Sequence, residues 1–226
     1  MNTSSMIYLY LPSLLNPVQT KQIDDLMLRA QYLSGGLTAS DAAREVKHNL
    51  QVNAQTQEYQ AIQNIIHAAL NHSALFRTAV MPKNIYPFLI SKYTEGMRYG
   101  WHVDSPLMGN MMRTDVAMTI FLSDPSEYEG GELELQGPAG TILYKLKKGD
   151  AVCYPCTQLH QVRELSGGER RVAVTWIESM VKEAEKRQVL CDIQKVIDHL
   201  RNTDIQSAEA NLLQQNHSNL MRMWCQ

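Results

Sequence analysis

Apolar residues recur at helical spacing over residues 17–33, where Val18, Ile23, Leu26, Met27 and Ala30 share one face and Asn16 before Pro17 supplies a start signal. The spacing predicts an amphipathic helix there. Gly35-Gly36 interrupts it, and the polar segment that follows shows no clear period in Val46, Leu50 and Val52. A second helix is predicted over residues 56–72, with Tyr59, Ile62, Ile65, Ile66, Ala69 and Leu70 on one face. After Pro82 the pattern changes to short runs of β-branched and aromatic residues separated by Gly, Pro, Asp and Ser. Runs at 86–93, 98–103, 115–122, 131–135, 141–146, 151–154, 158–162 and 170–178 predict eight strands, which fit a jelly roll. From residue 179 the helical period returns in Val181, Ala184, Val189, Ile193, Val196, Ile197 and Leu200, then in Leu212, Leu213, Leu220 and Met221. The fold expected is mainly β with flanking helices. Its parts are a helical support region at 1–83, a jelly-roll domain at 84–178 and a helical region at 179–226.

Composition narrows the function. The 226 residues suffice for one substantial core, and 44% hydrophobic with 19% charged residues is an ordinary globular balance. A net charge of −2 gives no cationic surplus for phosphate neutralisation, so a dedicated nucleic-acid binder is excluded. The longest apolar stretches fall well short of the roughly 20 residues that cross a bilayer, so no membrane partner is expected. The N-terminal apolar patch has no basic region before it, and Cys153, Cys156, Cys191 and Cys225 are too few for a disulfide scaffold. A cytoplasmic protein, monomer or homodimer, is the expectation.

Chemistry concentrates in a few residues. On an extended backbone His102 and Asp104 project to one side, which offers two ligands to one metal. His160 is the candidate third ligand. Two imidazoles and a carboxylate leave one face of a metal open, the arrangement of non-haem Fe(II) oxygenases. His67 and His72 fall on a predicted helix, His199 and His217 in the C-terminal helical region and His48 ahead of the strands. Beyond Gly167-Gly168, Arg170, Val172, Val174 and Trp176 share a strand face opposite Arg171, Ala173 and Thr175. The bulkier face is expected to turn into the core, on a strand that the Gly167-Gly168 pair turns back beside the one that carries His160. A guanidinium there is costly unless an anion meets it, and a dicarboxylate answers that need. The alternative is an outward Arg170 paired with Glu164 or Glu169.

The set His102-x-Asp104, His160 and Arg170, with Tyr128-Glu129-Gly130-Gly131-Glu132-Leu133 and Tyr154-Pro155 between, resembles the Fe(II)- and 2-oxoglutarate-dependent dioxygenases of the prolyl-hydroxylase type. It is more similar still to the bacterial PKHD-type hydroxylases associated with iron uptake. Val46-Lys47-His48-Asn49, Phe121-Leu122-Ser123-Asp124-Pro125, Trp176-Ile177-Glu178-Ser179-Met180 and Leu220-Met221-Arg222-Met223-Trp224 extend the likeness over nearly the whole chain. The resemblance implies a double-stranded β-helix core and Fe(II) held by His102, Asp104 and His160. It also implies 2-oxoglutarate held through its distal carboxylate by Arg170 with Tyr93, release of succinate and CO2, and L-ascorbate as a reductant. Phe121 and Val174 depart from the pattern, standing where some prolyl hydroxylases place a tyrosine and a threonine on the cosubstrate.

The substrate, small molecule or peptidyl, is not legible. Residues 105–112, rich in Met and Gly, read either as a lid or as packed loop, and Arg113 with Asp115 as substrate contacts or as an ion pair. Cys153-x-x-Cys156 lacks the helix or second Cys pair that redox or zinc chemistry would need. The competing class is a cupin-like module that binds or senses a metal or small acid without turnover.

Overall fold

The structure, a computed structural model, describes residues 8–38, 46–109, 111–137 and 140–226. Two antiparallel sheets form its centre. The larger runs β1 (Leu9–Leu11), β14 (Ala151–Pro155), β10 (Val116–Phe121), β17 (Arg170–Ser179), β6 (Leu89–Tyr93), β4 (Leu50–Val52) and β2 (Tyr32–Ser34), with β5 (Pro82–Ile85) also on β17. The smaller runs β13 (Gly140–Tyr144), β12 (Leu133–Gly137), β15 (His160–Val162), β7 (Arg98–His102) and β3 (Lys47–His48). Two short pairs complete the set: β8 (Leu107–Met108) with β9 (Met112–Arg113), and β11 (Tyr128–Gly130) with β16 (Leu165–Gly168). This is the expected jelly roll, and strands from before residue 84 extend both of its sheets.

Helices cover the outer face of the larger sheet. The first, α1 (Pro17–Arg29), opens on a capping box in which Asn16 accepts from the Gln19 amide and Gln19 accepts from the Asn16 amide. It stops before residue 33, because Tyr32 and Leu33 pair with Val52 and Gln51 in β4; cross-strand hydrogen bonding outweighs a weak helical period. The second, α2 (Gln57–His72), buries Tyr59, Ile62, Ile66, Ala69 and Leu70 as its period predicts and leads through Ser73 into the short α3 (Ala74–Val80). After the sheets, α4 (Ala184–Thr203) and α5 (Ala208–Trp224) pack on each other. Among the described residues no helix is long and apolar enough to cross a membrane.

The period of two along the strands divides the core. On β10, Val116, Met118 and Ile120 join Ile62, Ile66 and Phe76 under the helices, while Ala117 and Phe121 face Leu133, Leu135 and Tyr154 between the sheets. On β17, Ala173 and Ile177 pack under the helices, and Arg170, Val172, Val174 and Trp176 turn into the barrel. The expected face of β17 therefore points inward, and its other face is buried as well.

Two expectations of position need correction. The strand of Arg170 does not lie beside that of His160: β17 sits between β10 and β6, whereas β15 sits between β12 and β7 in the other sheet. Gly167-Gly168 does not fold one of these strands onto the other, because both glycines belong to β16, which pairs with β11.

Candidate metal centre

Pairing of β15 with β7 sets His160 directly across from His102, and their ring centroids lie 4.2 Å apart. Asp104 follows two residues after His102, just beyond the strand, with Oδ1 3.9 Å from His160 Nε2. The three side chains present ligand atoms within 4.8 Å of one another, and no other such cluster occurs among the described residues. Each imidazole is held by a backbone carbonyl: Nδ1 of His102 lies 2.8 Å from the Gly100 oxygen and Nδ1 of His160 lies 2.8 Å from the Gln158 oxygen. A carbonyl accepts, so Nδ1 carries the proton and Nε2 offers its lone pair to a metal. Tyr99 stacks on His102 at 3.6 Å, and Tyr154 meets His160 edge-on.

Electrostatics keep the imidazole of His102 ready to ligate. Burial, with His160 beside it, pushes the His102 pKa down to about 3, so its ring is neutral at physiological pH. Burial pushes the Asp104 carboxyl up, against the pull of His160 and Lys47. Asp104 Oδ2 is buried without a hydrogen-bond partner, and the Trp176 indole N–H approaches the carboxylate outside hydrogen-bond geometry. A divalent cation bound by Asp104 and the two Nε2 atoms would remove that cost, so the donor set fits Fe(II).

A cavity of about 210 Å³ opens from these side chains into the barrel. Arg170 lies in its wall, 1% exposed, with Nε and Nη1 unpartnered. Tyr93 stands opposite Arg170 in the β6–β17 register, and the guanidinium carbon sits 5.1 Å from the Tyr93 ring centre and 5.8 Å from that of Phe121. Gly131 makes room for this side chain: at φ 65° it accepts a conformation unfavourable to other residues, and a Cβ there would fall 2.6 Å from Leu165 Cδ1 and 3.0 Å from Arg170 Cδ. A buried guanidinium with Nε and Nη1 unpartnered in a cavity wall fits a carboxylate ligand.

All five residues singled out from sequence thus line one cavity: His102, Asp104, His160, Arg170 and Tyr93. The outward alternative for Arg170 fails, since Glu164 pairs with Arg98 and Glu169 with Lys92 and Arg171. Arg113 binds Asp115 at 2.8 Å, the ion-pair reading of those residues, and Cys153 and Cys156 are free buried thiols whose pKa values burial raises. Of the Met-rich segment, Met108 reaches the cavity and Asn110 falls outside the described residues.

Sequence reasoning missed Lys47, Asn49, Gln51, Ser91 and Thr119, which line the same space. The first three alternate along one stretch of chain. Their signal was a period of two in polar residues, invisible to a search for apolar periodicity. Burial pushes the Lys47 ammonium down to about 8, against the pull of Asp104.

Comparison with known proteins agrees with this geometry. Residues 88–178 match the 2OG-Fe(II) oxygenase superfamily. A PKHD-type hydroxylase of Picosynechococcus sp. is 38% identical over 96% of this chain and 99% of its own length, and one of Colwellia psychrerythraea is 38% identical over 95% and 97%. In structure the chain is similar to a prolyl hydroxylase of Trichoplax adhaerens (TM-score 0.53, 13% identity, 82% of this chain and 87% of that one). It is similar also to a viral collagen prolyl hydroxylase from Paramecium Bursaria Chlorella virus-1 solved with 2-oxoglutarate (TM-score 0.51, 18% identity, 76% and 96%). At those identities the structural likeness bears on the fold, while the full-length relatives carry the assignment. The chain belongs to the PKHD-type hydroxylases within the 2OG-Fe(II) oxygenase superfamily, enzymes that use Fe(II) and 2-oxoglutarate.

Proposed function

We propose that this protein hydroxylates its substrate at a centre where His102, Asp104 and His160 hold Fe(II) and Arg170 with Tyr93 holds the distal carboxylate of 2-oxoglutarate. With O2, the bound metal and cosubstrate supply the oxidising chemistry that converts a substrate C–H to C–OH while 2-oxoglutarate becomes succinate and CO2. The chain's own contribution is placement. Gly100 and Gln158 fix both imidazoles through Nδ1, so that Nε2 stays available without a rotameric search. Arg170 and the cavity walls set the direction of the cosubstrate and keep bulk water from the metal.

The observation that carries this reading is one cavity bounded by a buried two-histidine, one-carboxylate cluster and a buried guanidinium with unpartnered nitrogens. Iron-dependent succinate release from 2-oxoglutarate without added substrate tests it. The intact protein is expected to release succinate and His102→Ala to fall to background. Iron binding without succinate would favour a sensing module, and full turnover by His102→Ala would remove the triad from the mechanism.

A further inference from the structure

The two imidazoles of the metal cluster are held alike but supported differently. Each gives its Nδ1 proton to the backbone carbonyl two residues earlier, at 2.8 Å. The carbonyl that serves His102 belongs to Gly100 inside β7, a strand paired with β15 on one side and β3 on the other, and the Gly100 amide donates to the Val46 oxygen at 3.0 Å. The carbonyl that serves His160 belongs to Gln158, in the turn between the end of β14 at Pro155 and the start of β15 at His160. Its backbone amide closes that turn onto the Pro155 oxygen at 2.9 Å, but the residue lies outside both strands. The Gln158 side chain supplies the missing support. Its Oε1 accepts from the Tyr8 hydroxyl at 2.8 Å, and its Nε2 donates to the Gln136 carbonyl. Tyr8 stands just before β1, 150 residues away along the chain, and packs on the apolar cluster between the sheets. Gln136 lies in β12, where its neighbour Leu135 pairs with His160 itself. One amide group therefore ties the larger sheet to the smaller across the turn that carries the carbonyl. Water would satisfy a half-buried amide nearly as well, so the bridge contributes position more than stability.

We propose that Gln158 and Tyr8 are positioning residues of the metal centre. Their bridge to Gln136 holds the turn so that the Gln158 carbonyl keeps the His160 Nδ1 proton, and with it the direction of the Nε2 lone pair. This rests on the reading of His160 as a metal ligand. Neither Tyr8 nor Gln158 lines the cavity, so both act through the ring that does. A group that holds the second nitrogen of a ligating imidazole fixes the ring and raises its basicity, and losing such a group weakens metal binding by about 10- to 100-fold. Substitutions here loosen the carbonyl rather than remove it, which sets the expected loss at the lower end of that range.

Co(II)-loaded protein reads the two imidazoles separately, because each Nδ1 proton gives its own paramagnetically shifted NMR resonance, which broadens as the proton exchanges with water. The His102 resonance is assigned by dipolar contact with the stacked Tyr99 ring, and the other is that of His160. Gln158→Met keeps the length of the side chain and removes both amide partners. It is expected to speed exchange of the His160 proton, to leave that of His102 at the parent rate and to weaken Co(II) binding by about tenfold. Tyr8→Phe, which deletes one hydroxyl, should change the same two quantities in the same direction by less, and Gln158→Glu, which still accepts from Tyr8 but cannot donate to Gln136, should fall between the parent and Gln158→Met. Parent exchange and parent Co(II) affinity in Gln158→Met overturn the proposal, as does equal loss of both resonances, which would mark general loosening. Should Gln158→Met fail to fold, the same measurements on Tyr8→Phe decide. A parent protein that shows fewer than two shifted imidazole protons would instead overturn the reading of His102 and His160 as ligands.

Discussion

Arg170→Met separates the energetics of folding from those of ligand capture. The Arg170 side chain is 1% exposed, its Nε and Nη1 have no partner, and its neighbours Tyr93 and Phe121 are aromatic. Each buried donor left without a partner costs about 1–3 kcal/mol. Methionine has comparable reach, carries no donor and makes favourable contacts with aromatic rings. After allowance for imperfect packing the substitution should stabilise the unliganded protein by about 1–2 kcal/mol, a rise of about 2–8 °C in melting temperature for a chain of this size. Cosubstrate binding moves the other way. Removing the cation that meets a buried carboxylate costs about 2–5 kcal/mol, or about 30- to 5000-fold in affinity. Thermal melting with Mn(II), with and without 2-oxoglutarate, reads both effects in one experiment. The parent protein at a hundredfold excess over its dissociation constant should gain about 2.7 kcal/mol, and the variant at the same concentration about 0.9 kcal/mol or less. An Arg170→Met protein that melts lower than the parent when unliganded, yet responds fully to 2-oxoglutarate, would refute the reasoning.

Two further substitutions test the supporting structure. Gly131→Ala places a methyl against Leu165 and Arg170 at a φ of 65°, so a loss of about 1–3 kcal/mol in denaturant unfolding is expected together with weaker 2-oxoglutarate binding; unchanged binding would detach Gly131 from the Arg170 site. On the smaller sheet, Arg163 and Gln161 hydrogen-bond Glu134 and hold its pKa at about 2, below its ordinary 4.5. A depressed carboxylate stabilises the fold above its unfolded value and loses that contribution as pH falls through the folded one. The stability advantage of the parent over Glu134→Gln should therefore hold at neutral pH and shrink between pH 4.5 and about 2, and an advantage independent of pH would disprove the pairing.

What the sequence determined by itself was local. Strand alternation is a property of the backbone, so His102 and Asp104 had to share a side wherever the segment ended up, and the faces of β17 followed from the same rule. Capping and period likewise placed the start of α1 and the buried stripe of α2. Convergence was a different matter. His160 meets His102 because β15 pairs with β7, and Arg170 meets Tyr93 because β17 pairs with β6; both are long-range hydrogen-bond registers that no local pattern encodes. The same pairing energy turned Tyr32 and Leu33 from helix to strand and separated β15 from β17 into different sheets. The row of Lys47, Asn49 and Gln51 acquired its meaning last. Polar alternation reads as an exposed strand until two sheets close over it, and tertiary structure decided that this face looks inward toward a metal site rather than out into water.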